Sequence, residues 1–329
     1  MLHIIFLRSD KMTNKYTLFS IIENLKLEEN TIFQFCDWFI TNDRQIINKT
    51  IPHIEALVFL AGSISYNTLC NKTIAFKIYE SKNEISPNNI LHQQSANLNG
   101  FLLLIWLITD NSVFSSIQVS QNINTFDIAT NHRDTFISNS KGLYEPLLLD
   151  KRLISEIDGY NLLEKYHTLS FLSDDNSDEI SQNGLYKSDI ENRFVRYNRI
   201  QRSFLLLNIA RATSFLPMKI GFYINTLECL LLKSDTELNF RLQLYSANFI
   251  GENENNKQEI MNTIKAGYNV RSKFFHGEGL SADKIKDLQE LSQKIDDIVR
   301  KTIIKAASIS EKINDNKKME EFFKSILFS

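Results

Sequence analysis

Apolar positions in the second half of the chain recur at the three- and four-residue spacing of amphipathic helices, with few interruptions. Residues 188–214 form one long segment of this kind. Pro217 falls in the first turn of the next, 216–232, where its missing N–H costs nothing. Asp235 is placed to cap a third segment that runs to Ile250 and ends at Gly251. Residues 256–276 make a fourth, closed by Gly277. Ser281 precedes a fifth that runs to about residue 313, and a short terminal helix follows. The pattern predicts an antiparallel helical bundle.

The first half is mixed. Segments 2–7, 73–79 (TIAFKIY) and 113–119 (VFSSIQV) are rich in β-branched and aromatic residues and predict strands. Segments 17–27, 94–108 and 153–172 have helical spacing. Within the second of these, FLLLIWLI (101–108) predicts a buried or interface helix. Between the halves, residues 173–184 (SDDNSDEISQNG) are acidic, polar and without apolar periodicity, as in a linker. The expected organisation is an α+β domain over 1–172, a linker over 173–184 and an all-α helical domain over 185–329.

Composition narrows the classes. Gly (10) and Pro (4) are scarce, which disfavours a turn-rich all-β fold. Hydrophobic residues are 43% and charged residues 23%, the balance of a globular protein. The net charge of −2 means that a nucleic acid must be met by a local basic face. Cys36, Cys70 and Cys229 are widely spaced with no CxxC pair, which fits a reducing cytoplasm and excludes a cysteine-rich zinc module. The opening MLHIIFL is interrupted by Arg8, Asp10 and Lys11, too early for a signal-peptide core. The longest apolar run, 101–108, falls short of the roughly 20 residues of a membrane span. A soluble cytoplasmic protein without membrane contact is expected. There is no glycine-rich phosphate loop, metal-spaced His/Glu cluster or nucleophile elbow, so no cofactor or metal is expected.

The residues that point to chemistry are 268–277, YNVRSKFFHG, in which Arg271 precedes His276 by five positions and Ser272 and Lys273 follow the arginine. RNA cleavage can use the ribose 2′-OH as an internal nucleophile, so no metal-bound water is required. It needs a group that moves protons near neutral pH, and imidazole, at about 6.5, suits. It also needs a fixed positive charge on the phosphate at the transition state. Arginine supplies this with a planar fork of donors. Ser272 can donate to the phosphate or steady the arginine. Five helical residues rotate by about 140° and rise about 7.5 Å, so Arg271 and His276 do not share one narrow stripe.

This R-x4-H pattern resembles that of HEPN domains. Upstream, LPMKIGFYINTLECLL (216–231) resembles the second-helix signature of the Apea-like HEPN family, TELNFRL (236–242) its next helix, and Asn208-Ile209-Ala210-Arg211 the end of its first long helix. The blocks follow the family's order over roughly residues 190–310. The resemblance implies a metal-independent endoribonuclease that acts as a two-fold homodimer, with both motifs facing one cleft. The family's settings imply phage defence, abortive infection or toxin–antitoxin stress response, with an antitoxin or regulatory protein as partner. It equally admits a non-catalytic module that dimerises or binds RNA or nucleotide.

Secondary candidates surround the motif. Glu228, the acidic residue of the second block, can orient Arg271 or simply pair with a nearby cation. Arg211 and Arg241 match the family's arginines and read as structural. Arg193, Arg196, Arg199 and Arg202 recur every three residues, either as an RNA-tracking ridge or as a solvated face paired with Asp189 and Glu191. Phe194 and Tyr197 beside them can stack bases or fill the core. His53, His92, His132 and His167 show no ligand spacing, and Trp38 and Trp106 read as packing residues.

Overall fold

A computed structural model of the chain describes residues 13–28, 31–35, 37–50, 72–132, 135–159, 197–233, 237–279 and 286–327. Among these, an antiparallel sheet region comes first and a helical region follows. The chain divides into two compact units that interleave in sequence. The first takes Met1–Leu102, Val113–Thr135 and Pro146–Lys151. The second takes Leu103–Ser112, Phe136–Glu145 and Arg152–Ser329. The expected linker at 173–184 lies outside the described residues.

The first unit carries strands β1 (Asn14–Glu23), β2 (Leu25–Leu27), β3 (Ile32–Phe35), β4 (Trp38–Thr41), β5 (Thr73–Ser81), β6 (Phe114–Asn122), β7 (Ile128–His132) and β8 (Leu147–Leu149). Six form one sheet in the order β3-β4-β5-β1-β6-β7, antiparallel throughout, while β2 and β8 pair in parallel. The expected strands at 73–79 and 113–119 are β5 and β6, and the one at 2–7 lies outside the described residues.

The helix expected over 17–27 is instead β1 and β2. β1 is the central strand, and Leu18, Phe19, Ser20, Ile21 and Ile22 are all buried. A strand covered on both faces loses its polar alternation, and the remaining apolar run also satisfies a helical period. Phe19 and Ile21 point to one side, where they pack with Ile74, Phe76, Val119 and Ile47 of helix α1 (Arg44–Thr50). Ser20 points to the other. There its hydroxyl meets Ser115 at 2.7 Å, Gln118 Nε2 donates to Ser115, and Ser95 of helix α2 (Pro87–Ile108) donates to Gln118 Oε1 at 2.6 Å. α2 contains the helix expected over 94–108 and begins earlier, at Pro87. Of the helix expected over 153–172, α3 (Lys151–Gly159) is described and the rest lies outside the described residues.

The second unit contains α4 (Arg199–Ala212), α5 (Leu216–Leu231), α6 (Leu238–Ile250), α7 (Glu254–Phe275), α8 (Leu288–Ser308), α9 (Ser310–Ile313) and α10 (Asn316–Leu327). Local signals set their ends. Asn198 caps α4 through a reciprocal pair of hydrogen bonds with Gln201, and Pro217 lies in the first turn of α5. Asp235 and Ser281 lie outside the described residues, and Glu237, in the left-handed region (φ 54°), stands at the start of α6. Gly251 N–H closes α6 on Ala247 O at 2.8 Å. Asn253 caps α7, and Gly277 follows its end at φ +77°.

A buried polar centre joins these helices to the two segments taken from the first half. Asp296 of α8 is fully buried. It accepts from Trp106 Nε1 at 3.1 Å, Tyr223 OH at 2.8 Å and Arg300 Nε at 2.9 Å. Arg211 lies 5.3 Å over the Trp106 ring and donates to Asn111 O and Oδ1 at 3.3 and 3.2 Å. Lys219 is also fully buried and donates to Ala210 O at 2.8 Å and Ser138 O at 3.4 Å. Burial and the neighbouring Arg211 charge bring its pKa down to about 7, against the pull of Asp296 and Asp110. Ser140 donates its N–H and hydroxyl to Asp110, and Ser292 donates to Ser140 O at 2.5 Å.

Candidate functional site

The site forms where α5 and α7 pack together. On α5, Phe222, Asn225 and Glu228 are spaced by three residues and so share a face. On α7, Tyr268, Arg271 and Phe275, spaced by three and then four residues, also share a face. The two stripes meet antiparallel. Arg271 Nε donates to Asn225 Oδ1 at 2.7 Å, and its Nη2 lies 3.3 Å from Glu228 Oε2. The guanidinium sits 5.3 Å over the Tyr268 ring. At the far end of the stripe, Phe275 meets Phe222 edge-on at 6.1 Å. Three contacts thus hold the cation in one orientation, which a flexible surface arginine lacks.

Glu228 stands against Arg271, within α5's inner face. Burial pushes its carboxyl above the usual range, while the Arg271 charge acts in the opposite direction. Its second oxygen, Oε1, is buried without a hydrogen-bond partner. The carboxylate therefore keeps an unused acceptor beside the cation.

His276 follows the last helical residue of α7 with φ −91° and ψ 3°, and its N–H closes on Ser272 O at 3.0 Å. Its side chain is exposed. Arg271 and His276 therefore occupy one end of one helix, the first turned onto α5 and the second toward solvent. Ser272 and Lys273 are half-buried between them. Lys273 lines a cleft of about 720 Å³ between α7 and α8, together with Glu259, Glu290 and Lys294.

Four phenylalanines adjoin the motif. Phe215 and Phe274 lie 5.6 Å apart, Phe274 and Phe275 5.2 Å, and Phe275 reaches Phe222 as above. Phe275 can lie on α5 because residue 221 is glycine: a Cβ there would come within 2.7 Å of Phe275 Cε2. Phe215 and Phe275 remain 56% and 51% exposed.

The other sequence candidates fall elsewhere. The basic ridge is not a continuous solvated face. Arg193 and Arg196 lie outside the described residues, Arg202 is half-buried, and Arg199 turns inward with 9% exposure. Arg199 Nη1 donates to Cys229 O at 2.8 Å and Leu232 O at 2.7 Å, and Nη2 donates to Asn316. It serves the carbonyls at the end of α5, a demand that no local sequence pattern reveals. Arg211 belongs to the buried centre, and Arg241 is half-buried in α6. Tyr197 is half-buried, and Phe194, His53, His167, Cys36 and Cys70 lie outside the described residues. His92 is exposed on α2, His132 ends β7, Cys229 is a free thiol, and Trp38 is buried.

Asn225, Tyr268 and the phenylalanines were not among the expected site residues. Asn225 was legible in principle, since it precedes Glu228 by one turn on the same helix. Among the described residues, no group of three His, Cys, Asp or Glu side chains could hold a metal ion, and no helix is long and apolar enough to cross a membrane. No family model, curated protein or solved structure matches the chain.

Proposed function

We propose that the chain is a metal-independent endoribonuclease of HEPN type, acting as a homodimer with a composite site in the cytoplasm. The observation that carries it is an arginine fixed by Asn225, Glu228 and Tyr268 beside an exposed imidazole at the same helix end. Arg271 neutralises the scissile phosphate, with Ser272 and Lys273 in support. One His276 takes the proton of the 2′-OH as its oxygen attacks phosphorus. The imidazole of the second protomer protonates the departing 5′-oxygen. The products are a 2′,3′-cyclic phosphate and a 5′-hydroxyl. The two-fold axis supplies the second imidazole. In this proposal residues 1–172 sense a trigger or hold the nuclease in check, in phage defence, abortive infection or toxin–antitoxin response, with an antitoxin or regulatory protein as partner.

The test is degradation of RNA by the purified full chain in EDTA. His276→Ala and Arg271→Ala each lower cleavage by at least about 100-fold, with fold and dimer retained. Replacing ribose by deoxyribose abolishes it. Unchanged cleavage in both variants, or cutting of the deoxy substrate, overturns the proposal. A second reading, a non-catalytic HEPN module that dimerises or binds RNA, draws on the Glu228 carboxylate that already offsets part of the Arg271 charge. It predicts RNA binding without cleavage under every condition.

A further inference from the structure

We propose that the cleft between α7 and α8 is a groove for an extended peptide segment of another protein, held through its backbone by carboxamides along α7. The proposal stands apart from the nuclease reading, because the cleft lies on the far side of α7 from Arg271. Asn269, on the cleft, is two residues before Arg271, a rotation of about 200°. The cleft volume of about 720 Å³ falls inside the range of roughly 300–1,000 Å³ usual for binding sites. Its floor is apolar: Val270 and Leu288 are buried there, and Ala266 and Leu291 are half-buried. Its α7 wall is a stripe of exposed carboxamides, Asn255, Gln258, Asn262 and Asn269. Gln258 Nε2 donates to Asn262 Oδ1 at 3.2 Å. Among the described residues, the side chains of Asn255 and Asn269 make no hydrogen bond. Asparagine is a poor helix former, so the stripe does not serve the helix that carries it.

Spacing selects the occupant. Asn255, Asn262 and Asn269 recur every seven residues, which keeps them in line to about 20° per step and sets them about 10.5 Å apart. A peptide in the polyproline II form turns once every three residues and advances about 9.3 Å in doing so. Every third residue therefore presents the same side at nearly the spacing of the asparagines. That form makes no internal hydrogen bonds, which leaves an N–H and a C=O for each carboxamide, a group that both donates and accepts. A flat strand repeats every two residues and falls out of step by the second asparagine. A helical partner keeps its N–H and C=O groups for itself. From first to last the stripe runs about 21 Å, the length of about seven such peptide residues. Charge disfavours RNA: Glu259, Asp287 and Glu290 outnumber Lys273 and Lys294, and Lys294 is already paired with Glu290 at 2.9 Å.

The probe is a phage-displayed library of random linear peptides selected on the immobilised full chain, with selected sequences then made as fluorescein-labelled peptides. These bind the full chain in anisotropy titrations. Ala266→Arg fills the floor and abolishes binding, and Asn262→Ala and Asn269→Ala each weaken it by about 3- to 10-fold. Alanine is the better helix former, so the melting temperature of the two asparagine variants does not fall. Methylation of one backbone nitrogen weakens binding at every third peptide position and is tolerated between them. A library that yields no peptide separating the wild-type chain from Ala266→Arg overturns the proposal, as does undiminished binding to both asparagine variants. Peptides that gain helical circular dichroism on binding overturn the extended occupant. Displacement of the peptide by single-stranded RNA makes the cleft a nucleic-acid groove, and a fall in the oligomeric mass of Ala266→Arg makes it a contact between copies; either result overturns the proposal. Peptide binding by a wild-type chain that cuts no RNA in EDTA sustains the groove and removes the nuclease reading.

Discussion

Helix α5 carries two polar clusters that differ in how they use their charges. Toward its start, Lys219 and Tyr223 enter the buried centre with Asp296, Trp106, Arg211 and Arg300. One turn further, Asn225 and Glu228 hold Arg271 at a half-open surface. In the first cluster Asp296 accepts three hydrogen bonds from three separated segments. In the second, a carboxylate oxygen is left over and an imidazole points to solvent. The contrast separates groups whose hydrogen bonds close within the fold from groups that keep an open acceptor and an exposed ring.

The largest effect that sharpens this contrast is loss of Asp296. Asp296→Ala leaves the buried Trp106 and Tyr223 donors without their acceptor and takes one of two carboxylates from Arg300, which keeps Asp297. At about 1–3 kcal/mol for each stranded donor, it lowers unfolding free energy by about 2–6 kcal/mol in urea titration. If the cost is under 1 kcal/mol, the centre is not structural. Arg199→Met comes next, at about 1–3 kcal/mol, because it uncovers carbonyls at the end of α5 that a cation now serves.

Lys219 gives a pH signature. Its pKa falls from the ordinary 10.5 to about 7 in the folded chain. Between these values the unfolded chain holds a proton that the folded one does not, so stability from this group rises with pH. Below about 7 both forms are protonated and the dependence ends. Lys219→Met removes the rise between pH 7 and 10, as thermal unfolding across that range will show. An unchanged slope means that another group titrates.

The smallest effect lies at the second cluster. Glu228→Gln keeps the shape and changes stability by less than about 1 kcal/mol, since the Arg271 pair is partly exposed. The same change removes the countercharge, and under the proposed function it alters the pH profile of RNA cleavage more than the melting temperature. A large loss of stability instead would place Glu228 with the structural groups.

Much of the helical unit was legible because its signals are local. Pro217, Gly251 and Gly277 mark helix ends wherever the rest of the chain goes, and the apolar spacing does the same for α5 and α7. The antiparallel strands β5 and β6 were legible from their β-branched and aromatic content. Central β1 was not, because burial on both faces erased the alternation that identifies a strand. Arg199 was misplaced for a related reason: a three-residue spacing of arginines says which residues are near each other, and not which one turns inward. Asp296 sits four residues before Arg300 and eleven before Ala307, a pattern that reads as a surface ion pair. Its burial depends on Trp106, 190 positions earlier, and sequence spacing carries no trace of that. Arg271 and His276 stood out through their residue types, whereas Asn225 and the phenylalanines acquire meaning only from their neighbours across α5 and α7.

That 190-residue separation also bears on synthesis. A ribosome adding about 5–20 residues per second delivers the acceptor of the Trp106 indole roughly 10–40 s after the indole itself. Until then the emerging chain holds an unfinished polar centre, and the α7 helix end has no completed scaffold behind it. The order of synthesis therefore delivers Arg271 and His276 before the carboxylate that completes the unit they stand on.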